Sequence, residues 1–127
     1  AILMDNDYYR FTIEHSRTED SIHIANIESL ICLKCRAFLE MTVRKQNGEN
    51  VDSKHIAKHK KDVFRLAGML APSEKYDVPV TLKSDIENFC KAVEIDLPNK
   101  DFLSAAGLNS ISGMELLSQL KQTFLSE

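Results

Sequence analysis

Two stretches of helical periodicity between residues 30 and 70 carry charged side chains inside their apolar pattern, and this limits how the two can pack. In the first, Leu30, Leu33, Lys34, Ala37, Met41 and Arg44 share one face of a helix, while Ile31, Cys35, Phe38 and Leu39 cover much of the remainder. Lys34 thus falls within the apolar belt, where its ammonium must reach water along its stem or meet a carboxylate or phosphate. In the second, Asp52 or Ser53 supplies an N-cap, and Ile56, Val63, Leu66, Ala67 and Leu70 form the core stripe. Lys58, Asp62 and Arg65 lie on an adjoining face at i, i+4 and i+7, near enough for Asp62 to hold one cation or both.

Between them, Gln46-Asn47-Gly48-Glu49-Asn50 reads as a helix stop and a short loop, so the two helices are expected to pack antiparallel with Lys34 facing the second. Such a hairpin would present Lys34, Arg44, Lys58 and Asp62 to one place.

These residues resemble a known family. Lys34 and Ala37 followed by Arg44, then Lys58-His59-Lys60-Lys61-Asp62 with Val63 and Leu66 behind, resemble the two downstream motifs of the AbiEii-like nucleotidyltransferase toxins. There the first motif is a Lys with a small residue and an Arg about ten positions on, and the second is Lys-Asp-x-x-Asp. Asp62 matches the second Asp, and His59 stands where the first belongs. The similarity covers residues 1 to 70, and the run from Val51 to Leu66 also looks like a bacterial branch described only as nucleotidyltransferase-like.

The resemblance implies a protein that transfers a nucleotidyl group from a Mg²⁺-bound nucleoside triphosphate to an RNA, such as a tRNA, or to a protein acceptor, with an antitoxin protein as a further partner. Lys34 and Lys58 would offset triphosphate charge, Arg44 would hold a phosphate or brace the site, and Asp62 would position a lysine. The family also carries an upstream Gly-Ser turn and an Asp-x-Asp strand for triphosphate and metal. No Gly-Ser pair occurs in this sequence, and Ile2-Leu3-Met4 reads as the middle of a strand. The expectation is therefore a C-terminal piece of a longer enzyme, inactive alone, with no catalytic residue of its own and Mg²⁺ held only in the parent. The competing class is a non-enzymatic helical interaction module whose charged seam is structural.

Each charged feature also has a plainer reading. Lys34 and Asp62 can brace the hairpin as an ion pair. The cluster of Lys54, Lys58, Lys60 and Lys61 is by default a solvated helix face, with phosphate or RNA contact as the alternative. Cys32 and Cys35, with His55 and His59, imitate a Cys₂His₂ zinc set, but both pairs sit inside long helices and the interval between them exceeds that of a zinc finger. A redox C-x-x-C belongs at a helix N-terminus, so these cysteines read as core residues. Asp5-Asn6-Asp7 has Asp-x-Asp spacing, yet the central Asn favours a turn or cap over a metal site.

The flanks organise around this hairpin. Residues 1–27 are expected to form the tail of a nucleotidyltransferase sheet, strand-turn-strand, with residues 8–14 a short helix or strand and Ser21-Ile22-His23-Ile24 an edge strand. Residues 28–127 read as a C-terminal helical bundle. In it, Thr81 caps a helix carrying Ile86, Phe89, Cys90 and Val93, a short turn of helix ends at Gly107, and Asn109 or Ser110 starts a last helix. Ile111, Leu116, Leu117, Leu120 and Phe124 form that last helix's packing stripe. The fold class is thus mainly α, a helical bundle with a short N-terminal β remnant of a nucleotidyltransferase α/β domain.

With 127 residues, of which 43% are hydrophobic, the chain can build a core without disulfides, and a net charge of -3 argues against indiscriminate binding to nucleic acid by bulk charge. Three cysteines without a regular framework suggest reduced thiols in a cytoplasmic protein, and no apolar run is long enough for a membrane partner.

Overall fold

The computed structural model describes residues 6–19 and 22–125 as a helical bundle with one β-hairpin near its start. Helix α1 (Asn6–Glu14) leads into strands β1 (Ser16–Glu19) and β2 (Ile22–Ala25), which pair antiparallel with Ser16 opposite Ala25 and Glu19 opposite Ile22. Then come α2 (Ile27–Gln46), α3 (Ser53–Ala67), α4 (Val80–Val93), α5 (Lys100–Ala105) and α6 (Gly113–Phe124).

Local chemistry sets most of these boundaries. Helix α2 ends where the Asn47 and Gly48 N–H groups turn back to the carbonyls of Val43 and Lys45, and Gly48, at φ +86°, takes the left-handed step that a Cβ would strain. At the start of α3 the Asp52 carboxylate accepts from the Lys54 N–H at 2.9 Å. Asn99 caps α5 by accepting from the Phe102 N–H, and the Ser112 hydroxyl accepts from the Glu115 N–H at 3.1 Å to open α6.

Antiparallel packing of α2 and α3 follows the sequence expectation: Lys45 reaches Ser53 at one end of the pair and Lys34 reaches Asp62 at the other. The face of α2 that carries Lys34, Ala37 and Met41 borders α3, with Ala37 buried and Lys34 and Met41 at its margin. The deepest part of the core instead takes Ile31, Cys32, Cys35 and Phe38, because α4 docks on that side and sets Phe89 edge-on to Phe38 at 5.2 Å between ring centres. In α3, Phe64 joins Val63 and Ala67 in the interior, while Ile56 and Leu66 are only partly covered. Helices α4 and α6 contribute the Leu82–Ile86–Phe89 and Leu116–Leu120–Phe124 stripes to the same cluster, and α1 adds Tyr8 and Phe11.

Three boundaries differ from the sequence expectation. Thr81 is not a cap: α4 begins after Pro79, and the Thr81 hydroxyl instead donates to the Asp7 carboxylate at 3.0 Å, fastening α1 to α4. Helix α6 starts at Gly113 rather than near Asn109, since Ser112 has its acceptor three residues before Glu115. Residues 8–14, open between helix and strand, are helical, the expected edge strand falls on β2, and β1 pairs with it where no strand was expected, so the described part of this stretch is a helix followed by a hairpin. Asp5 and the Ile2-Leu3-Met4 strand lie outside the described residues. Among those described, no helix is long and apolar enough to cross a membrane.

Candidate functional site

The antiparallel hairpin sets Lys34 of α2 against Asp62 of α3, Nζ to Oδ2 at 3.1 Å. The other carboxylate oxygen of Asp62 accepts from Arg65 Nη1 at 3.2 Å, one helical turn further along α3. Asp62 therefore holds a cation on each oxygen, as the i, i+3 spacing and the expected facing of Lys34 allowed. Burial of the pair is incomplete, with 29% of the Lys34 side chain and 18% of Asp62 open to solvent, so the seam is a rim of the bundle rather than its interior.

His59 lies in the same place. Burial, followed by the neighbouring Lys34 ammonium, holds its imidazole below the ordinary value of 6.5, with Lys58 and His55 acting in the same direction and Asp62 against them. The neutral form is therefore favoured at pH 7, and its Nδ1 is shut away from solvent with no hydrogen-bond partner among the described residues. Lys58 is exposed one turn before Asp62 on α3. Two cations, Lys34 and Arg65, thus meet one carboxylate in the seam, and Lys58 adds its charge beside the neutral His59 imidazole. That is a positive local field suited to an anion.

Arg44 does not join them. It lies ten residues beyond Lys34 on α2, about 15 Å along the helix axis, and its Nε donates to Glu49 of the following loop at 3.2 Å. Two further lysines of the cluster are committed to packing. Lys60 hydrogen-bonds the Asp96 carbonyl and meets its carboxylate at 3.1 Å, holding the turn after α4. Lys61 and Arg65 lie over the Phe102 ring, 5.7 and 5.0 Å from its centre, and dock α5 onto α3. Lys54 remains exposed at the first turn of α3.

The cysteines and Asp7 are accounted for structurally. Cys32, Cys35 and Cys90 are buried free thiols; burial pushes the first two well above the thiol range and Cys90 up to about 11. Among the described residues no group of three or more His, Cys, Asp or Glu side chains could hold a metal ion.

A second charged cluster has no counterpart in the sequence reading. Asp85 of α4 accepts from the Tyr8 hydroxyl and, at 3.1 Å, from Arg36 Nη1, while Arg36 Nε donates to Glu40 at 2.9 Å. The Arg36 guanidinium lies 4.9 Å from the centre of the Tyr8 ring. Burial opposes the Arg36 charge, but its bonds to Glu40 and Asp85 outweigh this and raise its pKa; burial and Asp85 together raise that of Tyr8. Only the Arg36–Glu40 pair, four residues apart on one helix, left a mark in the sequence. This network ties α1, α2 and α4 together and opens on a cleft of about 660 Å³ beside Leu39 and Val43. Comparison with protein-family models, with curated proteins and with solved structures gives no match to this chain.

Proposed function

We propose that the chain is the helical part of a nucleotidyltransferase-fold protein and that the α2–α3 seam handles the phosphates of a nucleoside triphosphate. The observation that carries this reading is the Lys34–Asp62 contact at 3.1 Å on an accessible rim, with Lys58 one turn away and His59 between. Lys34 and Lys58 offset phosphate charge, and Asp62 fixes the direction of Lys34. A neutral His59 where the resembled family has a carboxylate leaves the seam more positive. Arg44, held by Glu49 away from the seam, has no part in it. The acceptor of the nucleotidyl group would be an RNA or a protein, and three buried thiols suit a reducing, cytoplasmic setting.

The seam does not fit the metal that such a reaction employs. Both oxygens of Asp62 already face cations, and Mg²⁺ added there would sit beside Lys34 and Arg65. In this reading the seam binds phosphate, and any metal is held by other residues.

A second reading rests on the same saturation: with Asp62 neutralised from two sides and Lys60, Lys61 and Arg65 committed to packing, the seam braces an interaction module. Nucleotide transfer and melting temperature measured on Lys34→Met, in the longer polypeptide that the enzymatic reading requires, separate the two. Loss of a charge that stabilises the transferring group lowers single-turnover transfer about 100- to 1000-fold with the fold retained. Unchanged transfer by the folded variant overturns the phosphate role.

A further inference from the structure

The cleft beside the Arg36–Asp85 network lies along one stripe of α2: Arg36, Leu39, Glu40, Val43 and Arg44, joined by Glu49 of the loop and Asp85 of α4. At 3.6 residues per turn the five α2 residues form two parallel rows, Leu39 and Val43 in one and Arg36, Glu40 and Arg44 in the other. Val43 is 52% exposed although it lies at the middle of this stripe. The charges alternate in sign at intervals of four residues. Glu40 and Arg44 are only partly used within the chain, since Glu40 offers Oε1 to Arg36 and Arg44 offers Nε to Glu49. Among the described residues no further bond is made by Glu40 Oε2 or by the terminal nitrogens of Arg44.

Such a stripe is complementary to itself when reversed. A two-fold axis crossing the helix pair level with Thr42 runs a second α2 antiparallel to the first and brings the same flank of each copy together. Glu40 then stands level with Arg44 of the second copy, and Arg44 with its Glu40. At 1.5 Å rise per residue, the apolar row interleaves as Leu39, Val43 of the second copy, Val43, and Leu39 of the second copy, at spacings of about 3 Å. Arg36 comes level with the start of the loop that carries Glu49 in the other copy. Every contact is thus made twice with opposite roles, as an isologous interface demands.

We infer that the Leu39–Val43 face of α2 is a self-association surface, on which two copies of this chain pair antiparallel with reciprocal Glu40–Arg44 bridges. The contact is confined to about three turns of one helix and falls at the small end of specific interfaces, below about 1,200 Å² in total. The dimer is therefore weak and reversible.

Sedimentation equilibrium on the full 127-residue chain from micromolar concentrations to about 1 mM tests this. The expected mass rises with concentration from the 14.4 kDa of one chain toward twice that value. Val43→Arg puts a charge at the centre of the apolar row without touching a buried contact. It should stay monomeric over the whole range, with a circular-dichroism melting curve like that of the wild type.

Glu40→Arg and Arg44→Glu should each be monomeric alone, because each sets like charges opposite one another. Mixed in equal amounts they should dimerise, because the two arginines of the first variant then face the two glutamates of the second. Wild-type protein that stays monomeric to about 1 mM overturns the inference and leaves the face to some other partner. A dimer that survives Val43→Arg overturns the placement. Failure of the two folded charge variants to pair overturns the antiparallel register.

Discussion

At Asp62 one carboxylate serves cations from two directions, and the partners are not equally replaceable. Lys34→Met removes one cation but leaves Arg65 on the other oxygen, and Met suits the partly apolar margin of α2. Its cost should stay below about 1 kcal/mol. Asp62→Ala leaves Lys34 and Arg65 facing each other without an anion, and should cost about 1–2 kcal/mol, between the limits for exposed and buried pairs. Urea unfolding of both variants checks this, and equal costs would mean that Arg65 does not share the carboxylate. His59 adds a pH dependence. Its folded-state pKa lies below the ordinary 6.5, so unfolding takes up a proton between those two values. The contribution is complete above about pH 6.5 and is lost as pH falls from there to the folded value. Melting temperatures from about pH 7.5 to about 5.5 should therefore fall more steeply for the wild type than for His59→Asn.

Among the elements, α3 is the one whose start was legible to within a residue, whereas its buried face turns further toward Phe64 than the expected stripe did. Asp52 before an amphipathic run announced its start, and Asp52→Ala should cost about 1 kcal/mol of stability in a denaturant titration. The antiparallel α2–α3 pair and the Lys34–Asp62 contact were also readable, because a Gly-containing loop and two helical phases determine them. For α2 the phase alone was ambiguous, since the helix is apolar on more than one side and covers two neighbours at once. Which side lies deepest was decided by Phe89 of α4, far away in sequence. Thr81 shows the same limitation at a boundary: in the sequence it has the chemistry of a cap, and in the fold that hydroxyl is used across to Asp7. Arg44 shared a face with Lys34 on paper, but length along the axis, which periodicity ignores, takes it to Glu49 instead.

For the whole molecule, the Tyr8–Asp85–Arg36 network brings together residues from three helices, and no local pattern could have joined α1 to α4. It makes α1 part of the bundle, with Tyr8 and Phe11 inside the same core as Phe89 and Phe124. Asp85→Ala removes the carboxylate that serves the Arg36 guanidinium and the Tyr8 hydroxyl at once, although Glu40 still meets Arg36 and the Cys32 carbonyl still lies 3.5 Å from the Tyr8 hydroxyl, and should cost about 2–4 kcal/mol by thermal or urea unfolding. The three cysteines report whether this core unfolds as one body. Cys32 and Cys35 sit on α2, Cys90 sits on α4, and all three are buried. A thiol must be both exposed and deprotonated to react, and burial opposes both conditions here. In native protein at about pH 8, an aromatic disulfide reagent should therefore titrate none of the three thiols within minutes. In rising urea all three should become reactive together, at the midpoint where helical circular dichroism is lost. Labelling of Cys90 at lower urea, while Cys32 and Cys35 stay protected, would show that α4 leaves the α2–α3 hairpin before the hairpin itself unfolds. The shared Phe38–Phe89 contact argues against that order, because α4 cannot withdraw Phe89 without opening the apolar surface that covers Cys35 and Phe38.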